Sequence, residues 1–280
     1  MEFEKLANKA YKFSQAEIIA KFDKKLSKDV KDGFCMMLSL NWLLYAKRYQ
    51  AEKDPGLTAM KILWGICSLD NLKQMPTEEA HMNLLGQIAS QHRAFQDLKK
   101  LKDRELNDVS KEIVDVLVKQ KAVDVDRYRV IGSLVYGKPF GLTEQTIELG
   151  GYEEGYQWRG IYDAILYTID PTSTANYVLL SIRFKDGTGH AIGIFLDAPG
   201  KSARVFDPNF GMASALNCNL DFKGFKKGPK GQKVPKAPPD PNDEKKEKVP
   251  DPLKQVAKAL AADYASSKLK KASLMVFDLK

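Results

Sequence analysis

Apolar residues in the first half of the chain recur at helical spacing. Phe3, Leu6, Ala10, Phe13, Ile18 and Phe22 mark a helical stretch over 3–26. Residues 34–49 make an apolar helix with Asp32-Gly33 as its start signal. Pro55 suits the first position of a helix running to about Leu69. Residues 77–102 and 106–121 read as two charged amphipathic helices. Thr77 can cap the first, and Glu78 and Glu79 favour its positive end. Leu84, Ile88, Phe95 and Leu98 would face Val109, Ile113, Val116 and Leu117, giving a helical hairpin at about 77–122. In the second half the period changes. Residues 176–184 and 190–197 are strand-like and flank the turn Asp186-Gly187-Thr188-Gly189. Pro199-Gly200 turns the chain into a third strand at 203–207, and a helix at about 253–267 precedes a strand at 273–279. The expected fold class is α+β, one domain over 1–280 with a helical half packed on a mostly antiparallel β-sheet.

Composition narrows this. Hydrophobic residues are 44% and charged residues 29% of the 280, which excludes a disordered or collagen-like chain. A chain this long can bury about three quarters of its unfolded surface without disulfides or metal. Its three cysteines, Cys35, Cys67 and Cys218, are too few and odd in number for a disulfide framework and suit a reducing compartment. No apolar run reaches the roughly 18 residues of a membrane span, so no stable membrane insertion is expected. The opening MEFEKLANKAYKF is charged throughout and does not read as a secretory signal.

The net charge is +8, and residues 223–252 hold nine lysines against five acids, together with seven of the thirteen prolines. That segment reads as an extended, flexible Lys/Pro-rich insert. A basic arm could bind nucleic acid or an anionic membrane. Acids dilute its second half, however, and a single aromatic, Phe225, is too little for base stacking, so a solvated loop and no nucleic-acid partner are expected.

The familiar cofactor and metal motifs are absent: there is no HExxH, no CxxC and no Walker-type phosphate loop. His81 and His92 lie eleven apart rather than at the i, i+4 spacing of a zinc site. Gly187-Thr-Gly189-His-Ala-Ile-Gly193 echoes a dinucleotide loop, but its spacing is off by one and it leads into a strand. No cofactor is expected.

One constellation carries chemistry. Cys35 falls in the first turn of its helix, where free N–H groups and the positive end of the helix stabilise a thiolate. The same groups can face a developing oxyanion. Gly33, lacking a side chain, allows close approach. A buried structural cysteine is the bland alternative. His190 opens a strand after a glycine-flanked turn, and Asp207 ends the next in Asp207-Pro208-Asn209-Phe210-Gly211. Both residue types are common there for structural reasons alone. The hairpin register relates them. If Pro199-Gly200 are the turn residues, paired positions sum to 399 and Asp207 faces Ile192, on the same sheet face as His190. The two side chains then sit roughly 5–8 Å apart at Cβ. A carboxylate there fixes the imidazole tautomer and stabilises its charged form, and the imidazole takes the proton of the thiol.

Three stretches, Gly33-x-Cys35-x-x-Leu38-Ser39-x-x-Trp42, Gly189-His190-Ala191 and Phe206-Asp207-Pro208-Asn209-x-Gly211, resemble the YopT/AvrPphB-type cysteine proteases, bacterial effector enzymes with a papain-like fold. The order Cys, His, Asp and the short gap between the last two match. The resemblance implies a papain-like cysteine protease fold, with Cys35 as nucleophile, His190 as base and Asp207 as orienting acid. It further implies a protein substrate, a secretion chaperone as partner, and a secreted effector acting in a target-cell cytosol. There are departures. Met36-Met37 follow the nucleophile where smaller residues are usual. Asp29 stands six residues before Cys35, where related enzymes place an amide, so an oxyanion would rely on backbone N–H groups. The same triad would serve an amidase, a deamidase or an acyltransferase toxin. An inert interaction or scaffold protein, presenting the helical hairpin, would have an unreactive Cys35. Cys67 and Cys218 are expected to be structural.

Deleting residues 226–250 is expected to leave the thermal unfolding midpoint nearly unchanged. Loss of cooperative unfolding would show instead that the insert packs.

Overall fold

The computed structural model describes residues 2–22, 34–67, 86, 88, 90–92, 141–152, 156–168, 175–197, 201–218 and 251–278. The expected hairpin at 77–122, apart from five residues between 86 and 92, lies outside the described residues. So do Asp29, Asp32-Gly33, His81, the Pro199-Gly200 turn and 219–250 of the Lys/Pro-rich segment.

The described residues form an α+β arrangement. Its helices are α1 (Glu2–Leu6), α2 (Gln15–Phe22), α3 (Cys35–Arg48), α4 (Pro55–Cys67), α5 (Gln157–Thr168) and α6 (Pro252–Asp263). The strands are β1 (Gly141–Glu148), β2 (Ala175–Phe184), β3 (Gly189–Asp197), β4 (Ser202–Asp207), β5 (Gly211–Ala215) and β6 (Leu269–Asp278). They make one sheet in the order β1-β6-β2-β3-β4-β5, antiparallel at every pairing.

β2 and β3 are almost wholly buried because both faces of the sheet are covered. Val178, Leu180, Ile182, Ile192, Ile194 and Val205 point to one face, under Ile161 and Ile165 of α5 and Leu253, Val256 and Leu260 of α6. Leu179, Ala191, Phe195 and Phe206 point to the other, under Met37, Leu38 and Trp42 of α3 and Met60 and Leu63 of α4.

Two devices hold α3 and α4 against the second face. Trp42 is fully buried, stacks on Phe206 with ring centres 5.6 Å apart, and donates to the Gly56 carbonyl at 3.2 Å. Gly193 makes this possible, since a Cβ there would stand 2.8 Å from the Trp42 ring. Arg204 of β4 grips the Asp54 carboxylate with contacts of 2.6–3.2 Å, while Asp54 accepts the Leu57 N–H at the start of α4.

Several elements differ from expectation. The 3–26 stretch is not one helix. Asn8 caps a short 3-10 turn at Lys9–Tyr11 and its N–H bonds to the Met212 carbonyl, while Ala7 bridges Ala213. The chain thus spends these groups on β5, and Ser14 restarts the helix by accepting the Glu17 N–H at 3.3 Å. Asp251 and Pro252, counted with the insert, open α6: Asp251 accepts the Leu253 N–H at 3.0 Å and Pro252 takes the first turn. Three elements went unread. β1, α5 and β5 occupy 141–148, 157–168 and 211–215. β6 also starts earlier, at Leu269, because it lies between β1 and β2 and is held through its main chain on both edges.

Gly193→Ala should destabilise the protein by about 1–3 kcal/mol, as overpacking against a rigid ring does. Chemical denaturation measures it, and an unchanged midpoint would contradict this account of how α3 docks.

Candidate active site

The site lies at the end of the sheet where β3 begins and β4 finishes. The β3–β4 register runs from Gly193 opposite Phe206 to Asp197 opposite Ser202, the pairing read from the sequence. Continued by one residue, it sets Asp207 beside the start of β3. The structure therefore brings His190 and Asp207 together: His190 Nε2 lies 2.9 Å from Asp207 Oδ1. Both are buried, Asp207 completely.

Asp207 is also a turn former. Its carbonyl accepts the Phe210 N–H at 3.0 Å, and its Oδ1 accepts the Asn209 N–H at 2.8 Å. Gly211 closes this turn with φ of +102°, a conformation that disfavours side chains, and the Tyr11 carbonyl would sit 3.0 Å from any Cβ there. One carboxylate oxygen thus serves both the turn and the imidazole.

Cys35 comes from the opposite face, as the first residue of α3. Phe34 precedes it and provides no side-chain cap, so it leaves the first-turn N–H groups of α3 without a side-chain acceptor of its own. One turn on, Ser39 Oγ donates to the Ala191 carbonyl at 3.0 Å, tying the helix to the residue after His190. That bond and the Trp42–Gly193 contact fix where Cys35 stands on β3. The Cys35 thiol stands beside the His190 ring, close enough for the two to shift each other's protonation. With Nε2 committed to Asp207, Nδ1 is the ring atom left for sulfur.

Electrostatics follow from this packing. Burial alone would push the Cys35 thiol up. The positive charge and hydrogen bond of His190, aided by a backbone hydrogen bond from Ala191, outweigh it and hold the thiol below its ordinary value. Burial would lower His190, but the charge of Asp207 and then that of Cys35 raise it to about 10. Each group thus favours the charged form of the other, thiolate with imidazolium. Burial, with Asp251 adding to it, pushes Cys218 up to about 11; its Sγ bonds to the Ala215 carbonyl at 3.4 Å.

Tyr264, just past α6, was not anticipated. Its hydroxyl donates to Asp207 Oδ2 at 2.8 Å, and its ring lies 5.0 Å from that of His190. Burial first, then the Asp207 charge, raise its pKa, so it remains a donor. Gln15, at the start of α2, was also missed, and no local pattern marks either residue. Asn209 lay within the quoted motif without a role. Cys67 has no described side chain. Among the described residues no three His, Cys, Asp or Glu side chains converge as a metal site needs, and no helix is long and apolar enough to cross a membrane.

No family model and no curated protein matches the chain. Among solved structures, the crystal structure of Pseudomonas avirulence protein AvrPphB is similar over 93% of this chain and 100% of that one, at 15% identity and a TM-score of 0.46. A likeness that distant says nothing of activity; the chemistry has to come from the side chains at the end of the sheet.

At pH 7, iodoacetamide should label Cys35 more than about 100-fold faster than Cys218, given the gap between a depressed and a raised thiol. In His190→Ala, burial is no longer opposed by a cation, so the Cys35 rate should fall at neutral pH and recover only in alkali. Peptide-level mass spectrometry reads both sites, and equal rates would contradict the charge pairing.

Proposed function

We propose that the chain is a cysteine-type hydrolase of papain-like design, a peptidase that cuts a protein substrate. Cys35 is the nucleophile, His190 the acid–base and Asp207 the residue that orients it. The observation that carries this is the convergence of the three at one end of the sheet, with Nε2 of His190 on Asp207 and the Cys35 thiol close enough to the ring for the two charges to interact. A buried cysteine without a task has no need of a cation at its thiol.

The geometry supports the following sequence. The thiolate attacks a carbonyl carbon and forms a thioester through a tetrahedral intermediate, whose oxyanion the uncapped N–H groups at the start of α3 can face. The imidazolium gives its proton to the leaving amine. Water, deprotonated by the now neutral imidazole, then releases the acid, and the sulfur leaves as thiolate beside the regenerated imidazolium. Asp207 holds the ring in the required tautomer and stabilises its charge throughout. The motif resemblance extends the reading to a bacterial effector that works on a protein in the cytosol of a target cell.

The test is incubation with a eukaryotic cell extract, followed by mass spectrometry of newly formed protein N-termini. The parent protein should create a defined set and Cys35→Ala none. Asp207→Asn should lower the rate by on the order of 10²–10⁴ with the fold intact, as in comparable triads. Deamidated side chains without new termini would reassign the reaction to amide hydrolysis. The absence of both products would overturn the hydrolase reading.

A further inference from the structure

The Asp207 carboxylate is the end of a longer hydrogen-bonded path. The Phe34 N–H, one residue before the nucleophile, donates to Gln15 Oε1 at 3.2 Å. Gln15 Nε2 donates to Asn209 Oδ1 at 2.8 Å, and Asn209 Nδ2 donates to the Tyr264 hydroxyl at 3.1 Å. That hydroxyl donates to Asp207 Oδ2 at 2.8 Å, and the other carboxylate oxygen holds His190. From His190 the path returns to Cys35, so the links form a closed ring around the site.

Both ends of this path are chemically one-sided. A peptide N–H can only donate, and a carboxylate can only accept. The orientations of the two amides and the hydroxyl are therefore dictated by their ends: each link must donate toward Asp207. Aligned hydrogen bonds of this kind polarise one another in a low-dielectric interior. The members also come from separate parts of the chain: α2, the turn after β4, and the residue following α6. Gln15 is further fixed by its own N–H on the Pro208 carbonyl at 2.8 Å. Tyr264 is neighboured by Asp263, which accepts the Glu2 and Phe3 N–H groups at 2.7 and 2.9 Å.

We propose that Gln15, Asn209 and Tyr264 are positioning residues that act as one directed relay, holding the nucleophile helix in register with the base and stabilising the charge on Asp207. This rests on the hydrolase reading for its purpose. No member touches the reacting atoms. They act through Asp207 and through the peptide beside Cys35. Removing the Tyr264 hydroxyl takes a donor from a fully buried carboxylate, and removing Gln15 frees the Asn209 amide that orients that hydroxyl, so the imidazolium–thiolate pair that leans on the carboxylate is weakened in either case.

The experiment is the pH profile of Cys35 alkylation by iodoacetamide in the full chain, for the parent, Gln15→Met, Tyr264→Phe and the double variant, after cooperative unfolding of each is confirmed. Tyr264→Phe removes one oxygen and keeps the ring beside His190. Each single variant should move the midpoint up by about half a pH unit or more. The double variant should move it no further than the larger single shift, since Gln15 and Tyr264 meet only through Asn209 and independent sites would add. If Gln15→Met does not fold, Asn209→Ala takes its place in the cycle. An acid-shifted parent profile that the variants leave unmoved, or shifts that add, would overturn the relay alone. A parent profile with an ordinary thiol midpoint would overturn the relay and the hydrolase reading together.

Discussion

The Asp207 carboxylate is fully buried, and a buried ion without partners costs several kcal/mol. The folded chain meets that cost with donors on both carboxylate oxygens: the His190 ring, the Asn209 N–H and the Tyr264 hydroxyl. These donors belong to the start of β3, the turn after β4 and the residue following α6. Satisfying one carboxylate therefore binds the start of β3 and the residue following α6 to the turn after β4. A hydrogen bond to a charged group contributes about 1.5–3 kcal/mol, and losing one partner leaves the others holding an undersolvated charge. The same bonds that make the burial tolerable orient His190, so stability and chemistry share a single constraint.

The sheet contributes by being covered on both sides. His190 and Asp207 belong to the face under α5 and α6, whereas Cys35 rides on α3 across the other face. The two sets of side chains meet only at the end of the sheet, where the helix start overhangs the first residues of β3. How far α3 extends there is set by a missing Cβ at Gly193, the Trp42 ring that fills the space, and the Ser39 bond to Ala191. The Ala191 peptide serves both sides, its carbonyl holding the helix and its N–H supporting the sulfur.

Residues 2–22 close the arrangement from outside. Phe3 is fully buried in the core, Ala7 and Asn8 bond along β5, and Gln15 reaches the loop that carries Asp207. An isolated reading of this stretch favours one helix because its apolar residues have helical spacing. Main-chain groups on β5 offered partners that an uninterrupted helix would have forgone, and the segment broke to use them.

Local signals were enough for much of the fold. β2, β3 and β4 were legible from runs of branched and aromatic residues between turn formers, α3 and α4 from apolar spacing and Pro55, and the pairing of β3 with β4 from turn position and the two-residue period. The meeting of His190 with Asp207 followed from that register, since a hairpin is a local object. β1 was not legible: Gly141–Glu148 is polar and becomes a strand only because β6 offers it an edge. Tyr264 and Gln15 carry no mark at all, because a tyrosine past a helix and a glutamine at the start of one are ordinary in both places. Sequence by itself determined which residues could form the thiol, imidazole and carboxylate of a site, along with the strands and helix that bear them. Tertiary structure decided that the helix and hairpin meet at one end of the sheet, and which buried donors hold the carboxylate, because those contacts join residues 57 positions apart at Tyr264–Asp207 and 152 apart at Ser39–Ala191 and depend on packing across both faces.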